Sequence, residues 1–230
     1  MRINKYLSLT GLGSRRKVEQ YIVDGKIKLN GQVVTNLATQ IDPDKDVVEY
    51  DNNLVESEQY KYFLLNKPKG LECTMKKNHS NFTMAEFIEQ NPDLKNCTYV
   101  GRLDKESEGL LLLSNDGRIV EKLTNPRYEK QKTYVVTVDK PFSDAHIEDL
   151  ERGMIINGFR TRQAKVTKLT NRKFSNVLTE GKNRQIRQMC YKVDLRVHKL
   201  VRTKFDKFSL GDLQTGEYMQ LPAHMFEEYI

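Results

Sequence analysis

Apolar positions along the chain change their rhythm near residue 60. Ahead of that point Ile3, Tyr6 and Leu7 share one face at helical spacing, before Gly11 and Gly13 break the segment. Ser14 is placed to cap a second helix over residues 15–24, with Val18, Tyr21 and Ile22 as its apolar stripe and Gly25 as its stop. Ile27 and Leu29 then alternate with lysines, Asn30-Gly31 is a hairpin dipeptide, and Val33-Val34 forms the return strand. A turn at Asp42-Pro43-Asp44 leads to a strand over 47–50, and the polar, acidic stretch 51–59 reads as a linker.

Beyond the linker the period of two dominates. Strands are predicted over 60–65, 98–100, 110–113, 134–138, 164–169, 174–179 and 196–200. Thr83 and Glu86 form a capping box for one intervening helix, Ser143 can cap another that ends near Gly153, and Asn157-Gly158 marks a second hairpin. Residues 184–193 return to helical spacing, with Ile186, Met189 and Cys190 on one face. No regular βαβ alternation is present, so the expected class is α+β: a small αα-β domain over 1–58 and a mainly antiparallel mixed-sheet domain over 59–230. Length does not choose between this division and one large domain, since 230 residues accommodate either.

Charge changes this picture by being segregated. The net charge is +7, from 38 Lys and Arg against 31 Asp and Glu. Up to Asn30 the basic residues Arg2, Lys5, Arg15, Arg16, Lys17, Lys26 and Lys28 face only Glu19 and Asp24; from Gly31 to Glu58 the sign reverses. The small domain is therefore expected to carry a basic face suited to phosphates, with salt-dependent affinity for nucleic acid. A solvated face is the ordinary alternative for such a run. A second basic cluster includes Lys182, Arg184, Arg187, Arg196, Lys199, Arg202 and Lys204.

Candidate chemistry narrows by elimination. Cys73, Cys97 and Cys190 are too few and too scattered for a disulfide framework, and read as reduced thiols. The four histidines lie at no ligand spacing, so no metal is expected. There is no phosphate-binding glycine loop and no dinucleotide fingerprint, which counts against a methyltransferase. No apolar run is long enough to span a membrane and no signal segment opens the chain; a cytoplasmic monomer is the expectation. What remains is a polar loop between strands, Gly101-Arg102-Leu103-Asp104-Lys105-Glu106-Ser107, followed by leucines 110–113 and Asn115-Asp116-Gly117. Read alone, Asp104 fits a turn-former or a helix cap as well as a catalytic acid.

The string over 101–117 resembles the signature of the ribosomal RNA pseudouridine synthases of the RsuA type, the group that includes the RluB and RluF enzymes. Lys67-Pro68-Lys69-Gly70 and Gly181-Lys182-Asn183-Arg184-Gln185-Ile186-Arg187 are similar to that family too, and residues 2–31 resemble the small RNA-binding domain of ribosomal protein S-four. Ser107 stands where many relatives have threonine and keeps the hydroxyl. The resemblance implies conversion of uridine to pseudouridine in ribosomal RNA, that of the large subunit in particular, without a cofactor. It implies Asp104 as the catalytic carboxylate, acting as nucleophile or base, Tyr134 stacked on a flipped base, and Arg187 paired with Asp104 to keep it ionised. Ile186 and Leu200 would line the uracil pocket, Arg102 would lie near the RNA backbone, and Lys182 and Arg184 would help hold the substrate. A non-catalytic ribosome-assembly factor is the competing reading; it would keep the basic faces without needing the 101–117 string.

Overall fold

The computed structural model describes residues 1–43, 45–55, 59–77 and 82–230. Asp44 of the expected turn, Glu56 and Glu58 of the acidic stretch, and His79 lie outside the described residues. The chain divides into two units, Met1–Tyr60 with Asn115–Gly117, and Lys61–Ser114 with Arg118–Ile230.

In the first unit, helices α1 (Ile3–Leu9) and α2 (Arg15–Val23) precede strands β1 (Ile27–Leu29), β2 (Gln32–Val34), β3 (Val48–Tyr50) and β4 (Asn53–Leu54). The Ser14 hydroxyl accepts from the Lys17 amide at 3.3 Å, as a cap should, and Gly25 leaves the helix at φ +68°. Asn30 and Gly31 both take positive φ, which a two-residue hairpin of this type requires, and Leu29 faces Gln32 across it. The antiparallel sheet runs β2-β1-β3-β4. Ile3, Leu7, Val18, Ile22, Ile27, Ile41 and Val48 form the core, while Tyr21 of the expected stripe sits half-buried against Tyr50. The stretch expected to be linker contains a strand: Asn53 and Leu54 pair with Tyr50 and Glu49. Both are exposed, so backbone pairing alone makes the strand and no apolar pattern announces it.

The second unit contains β5 (Tyr62–Lys67), α3 (Met84–Glu89), β6 (Thr98–Val100), β7 (Glu108–Ser114), α4 (Gly117–Thr124), β8 (Lys132–Val138), α5 (Asp144–Arg152), β9 (Ile155–Ile156), β10 (Phe159–Arg160), β11 (Lys165–Thr170), β12 (Lys173–Leu178), α6 (Gln185–Lys192), β13 (Val197–Phe205), β14 (Phe208–Ser209) and β15 (Tyr218–Gln220). Both halves of the Thr83–Glu86 capping box form. Helix α4 goes beyond the expected elements; Ile119 and Leu123, four apart and buried, are the signal it carried.

The main sheet runs β11-β12-β8-β13-β7-β5-β15, with β14 on β13 and β6 on β7. Among the described residues every pairing in it is antiparallel except β13 with β7, where Val201 meets Glu108 and Arg202 meets Gly109. That short parallel joint positions the site. The chain entering β7 arrives beside the part of β13 that precedes Val201, so the 101–107 loop is brought to Leu200. The joint also explains Gly109: at φ +99°, a Cβ there would lie 2.3 Å from the Arg202 carbonyl oxygen and 2.8 Å from its amide nitrogen. β7 is buried from Gly109 through Ser114, which accounts for its unbroken leucines. Strand β13 corrects the expected end at residue 200. It continues through Phe205 because it is paired on β8 as well as β7.

Candidate active site

Asp104 is half-buried and closes a turn in which the Ser107 amide donates to its carbonyl at 3.0 Å. The Lys67-Pro68-Lys69-Gly70 stretch braces this loop from below: the Gly70 amide donates to the Lys105 carbonyl at 2.8 Å. Lys67 is fully buried and donates from Nζ to the carbonyls of Pro68 at 3.0 Å and Leu71 at 2.7 Å. Burial pulls its ammonium down to about 8, against the opposing pull of Cys73 and the carboxylates of Glu108, Asp104 and Glu106.

A cleft of about 540 Å³ opens beside the loop. Arg102, Leu103, Asp104 and Ser107 form one wall, Tyr134 of β8 and Leu200 and Arg202 of β13 the floor, and Lys182, Arg184 and Ile186 the far rim. Tyr134 and Arg202 are register neighbours across the β8–β13 ladder, which puts them on one face. Ile186 and Leu200 are about 5% exposed or less, so the cleft combines an apolar wall with polar lips. A pocket of this size, with apolar side chains beside many polar and charged ones, has room for one nucleotide base and groups to meet its polar edges.

Of the sequence-predicted residues, Asp104, Tyr134, Arg102, Ile186, Leu200, Lys182 and Arg184 line the same cleft. Arg187 does not, and the direct Asp104–Arg187 ion pair expected from the sequence is not formed. The Arg187 guanidinium donates instead to the Glu106 carbonyl at 3.2 Å and the Val197 carbonyl at 3.3 Å, and its Nε is buried without a partner. Burial and the neighbouring Arg184 charge hold its pKa below the usual arginine value, with Glu106 and Asp104 pulling the other way. It thus ties the 101–107 loop to β13 while staying within electrostatic reach of Asp104. Arg184 takes the nearer carboxylate: it bonds Glu106 at 2.7 Å, and this bond lowers the Glu106 pKa. Lys182 bonds the Arg160 carbonyl at 2.9 Å and sits 5.2 Å from the Phe159 ring centre.

Sequence reasoning missed Lys132 and Phe205 and saw Arg202 only as one of a basic cluster, yet all three line the cleft. No local pattern singles them out: Leu200, Arg202 and Phe205 are buried in β13 at spacings of two and three, with an arginine among them. Among the described residues no group of three or more His, Cys, Asp or Glu side chains could hold a metal ion. No helix among them is long and apolar enough to cross a membrane.

In the N-terminal unit Arg2, Lys5, Arg15, Arg16, Lys17 and Lys26 are exposed, and Lys28 is half-buried with its ammonium on Asn52 at 2.7 Å. The first turn of α2 is Arg15-Arg16-Lys17 with no acidic residue. Cations at the positive end of a helix are unfavourable to it.

The sequence pattern described as RNA pseudouridylate synthase matches residues 61–192, and that of the S4 domain matches residues 1–48. Fold and cleft therefore define an RNA-modifying isomerase with an RNA-binding appendage. The chain belongs to the RNA pseudouridylate synthase family. It is 37% identical over 224 residues to the dual-specificity RNA pseudouridine synthase RluF of Escherichia coli O6:H1, covering 96% of this chain and 75% of that one. It is 35% identical over 229 residues to the ribosomal large subunit pseudouridine synthase B of Bacillus subtilis, covering 97% and 93%. A crystal structure of a pseudouridylate synthase matches over the whole of both chains with a TM-score of 0.71 at 27% identity. The expected α+β class, with its small RNA-binding domain and mostly antiparallel sheet, holds.

Proposed function

We propose that the protein converts specific uridines of large-subunit ribosomal RNA to pseudouridine in the cytoplasm, as a monomer, with Asp104 as the catalytic carboxylate. The observation that carries this reading is the shared cleft of Asp104, Tyr134, Ile186 and Leu200. The reaction breaks the bond from the ribose to the ring nitrogen and remakes it to a ring carbon, with a proton moving from that carbon to the nitrogen. Atoms balance within the nucleotide, so a carboxylate and a pocket in which the base can turn are sufficient. Tyr134 stacks on the extruded uracil, and Ile186 and Leu200 pack its edges, offsetting part of the few kcal/mol that extrusion costs. Arg102, exposed at the mouth, and Lys182 and Arg184 on the rim hold the flanking backbone. Arg187 acts as a positioning residue through the carbonyl of Glu106.

Residues 1–58 serve as the docking domain and 59–230 as the catalytic one. Arg15, Arg16 and Lys17 support the docking role because their place at the N-terminus of α2 does nothing for the helix. An anionic partner accounts for them.

Asp104→Asn tests the assignment. Ribosomal RNA from cells lacking the gene, complemented with either version, is mapped for pseudouridine by carbodiimide reaction. The variant is expected to bind RNA as the parent does and to lose roughly 10²–10⁴-fold in rate or more, the range for removing a group that acts directly on the reacting atoms. Modification at the parental level would sink the role of Asp104.

A further inference from the structure

One end of the cleft floor holds two cations that form no ion pair among the described residues. Lys132 on β8 and Arg202 on β13 both line the cleft and both lie over the Phe205 ring, Lys132 Nζ at 5.3 Å and Arg202 Cζ at 5.0 Å from its centre. Arg202 is 1% exposed. Its Nε donates to the Leu110 carbonyl at 2.8 Å, but Nη2 is buried with no partner. Lys132 gives one hydrogen to the Lys130 carbonyl at 2.9 Å and keeps two. Neither side chain forms an ion pair among the described residues. The carboxylate nearby, Asp206, bonds Lys130 at 3.0 Å and accepts from the Tyr229 hydroxyl.

Two like charges drawn out of water without a counter-ion are costly, and the cost rises when one nitrogen lacks any hydrogen-bond partner. Burial and then the Arg202 charge pull the Lys132 ammonium down to about 8, with Asp206 pulling the other way without pairing with it. Holding one main-chain carbonyl needs no guanidinium, so the bond to Leu110 does not explain the charge. An anion accepting from Lys132 Nζ and Arg202 Nη2 would satisfy both.

We propose that Lys132 and Arg202 form a phosphate clamp in the cleft floor, which grips a phosphate of the nucleotide whose base is isomerised. This rests on the reading that the cleft takes a uridine. The clamp makes the phosphate part of recognition at the reacting nucleotide itself, so that free nucleoside binds poorly and a nucleotide within RNA is seated correctly. Charge-assisted bonds to phosphate are the strong kind, and Arg and Lys differ in the geometry they offer.

The test is calorimetric titration of the full chain with uridine, uridine 5′-monophosphate, uridine 3′-monophosphate and inorganic phosphate. At least one monophosphate is expected to bind about tenfold more tightly than uridine or better. In Lys132→Gln that preference should shrink to about one, with uridine binding unchanged; Arg202→Lys, checked for folding by thermal melting, should keep an intermediate preference. The monophosphate that shows the preference identifies which phosphate is held. A parent chain that does not prefer either monophosphate, or a Lys132→Gln variant that retains the full preference, overturns the clamp. Failure of the uridine reading shows separately: Tyr134→Ala would then leave uridine binding as it was.

Discussion

In the N-terminal unit Arg2, Lys5, Arg15, Arg16, Lys17 and Lys26 stand in solvent with no ion pair among the described residues. In the larger unit Lys67, Lys132, Arg187 and Arg202 are drawn partly or wholly beneath the surface and tied to main-chain carbonyls. The two regions are equally basic in kind but carry their charge at different cost. An exposed cation loses little by being charged, retains its rotamer freedom and meets any phosphate. A buried one is expensive, is held in one place by the backbone, and can discriminate between ligands by position. The proposed reading assigns avidity for RNA and choice of nucleotide to different surfaces, by burial rather than by residue type.

The comparison breaks most severely at Gly109. Replacing it with alanine would force a Cβ to within 2.3 Å of the Arg202 carbonyl oxygen, so β7 and β13 must part. A loss of about 3 kcal/mol or more in urea unfolding is expected, beyond what positive φ alone costs an alanine. The cleft should fail with it while the N-terminal unit keeps its own core. A variant as stable as the parent would show that the parallel joint tolerates separation.

Neutralising Arg15, Arg16 and Lys17 together to glutamine touches only the exposed side. RNA affinity should drop, and the slope of its logarithm against the logarithm of salt concentration should flatten by about 0.7 for each single-strand phosphate contact removed. Stability should stay level or rise by up to about 1 kcal/mol, because the N-terminus of α2 loses unfavourable charge. An unchanged salt slope would remove α2 from the RNA-binding face.

The smallest effect concerns pH. Lys132 has its folded pKa lowered to about 8 from an ordinary 10.5, so between those values the unfolded chain holds the more protons. Stability contributed by this residue therefore rises with pH across that window and is least below it. Chemical unfolding of the parent should show a steeper rise from about pH 8 to 10.5 than Lys132→Gln does. Parallel curves would mean that the ammonium is better solvated than its burial implies.

The elements that the sequence made legible are those whose signals are local. The α2 cap at Ser14, the Asn30-Gly31 and Asn157-Gly158 turns and the Thr83–Glu86 box all depend on neighbours within four residues, and each is formed. Strand β4, with both side chains exposed, and the far half of β13, with arginine and lysine among its residues, exist because a partner strand supplies hydrogen bonds; their own composition carries no such message.

The same division runs through the site. Asp104 and Ile186 were readable because each sits in a distinctive string, Tyr134 and Leu200 because the family resemblance points to them, and the cleft does bring the four together. The direct Arg187–Asp104 pair was not, since hydrogen-bond partners depend on where the 101–107 loop lies against α6 and β13, and there the carbonyls of Glu106 and Val197 take the guanidinium. By itself the sequence determined two units, a basic N-terminal face and a carboxylate-bearing loop ahead of a leucine strand. Only the tertiary structure decided that Gly109 must lack a side chain and that Lys132 and Arg202 share one cleft floor with no ion pair to either among the described residues. Both follow from β8, β13 and β7 lying side by side, and register between strands distant in sequence is set by long-range packing that no local pattern encodes.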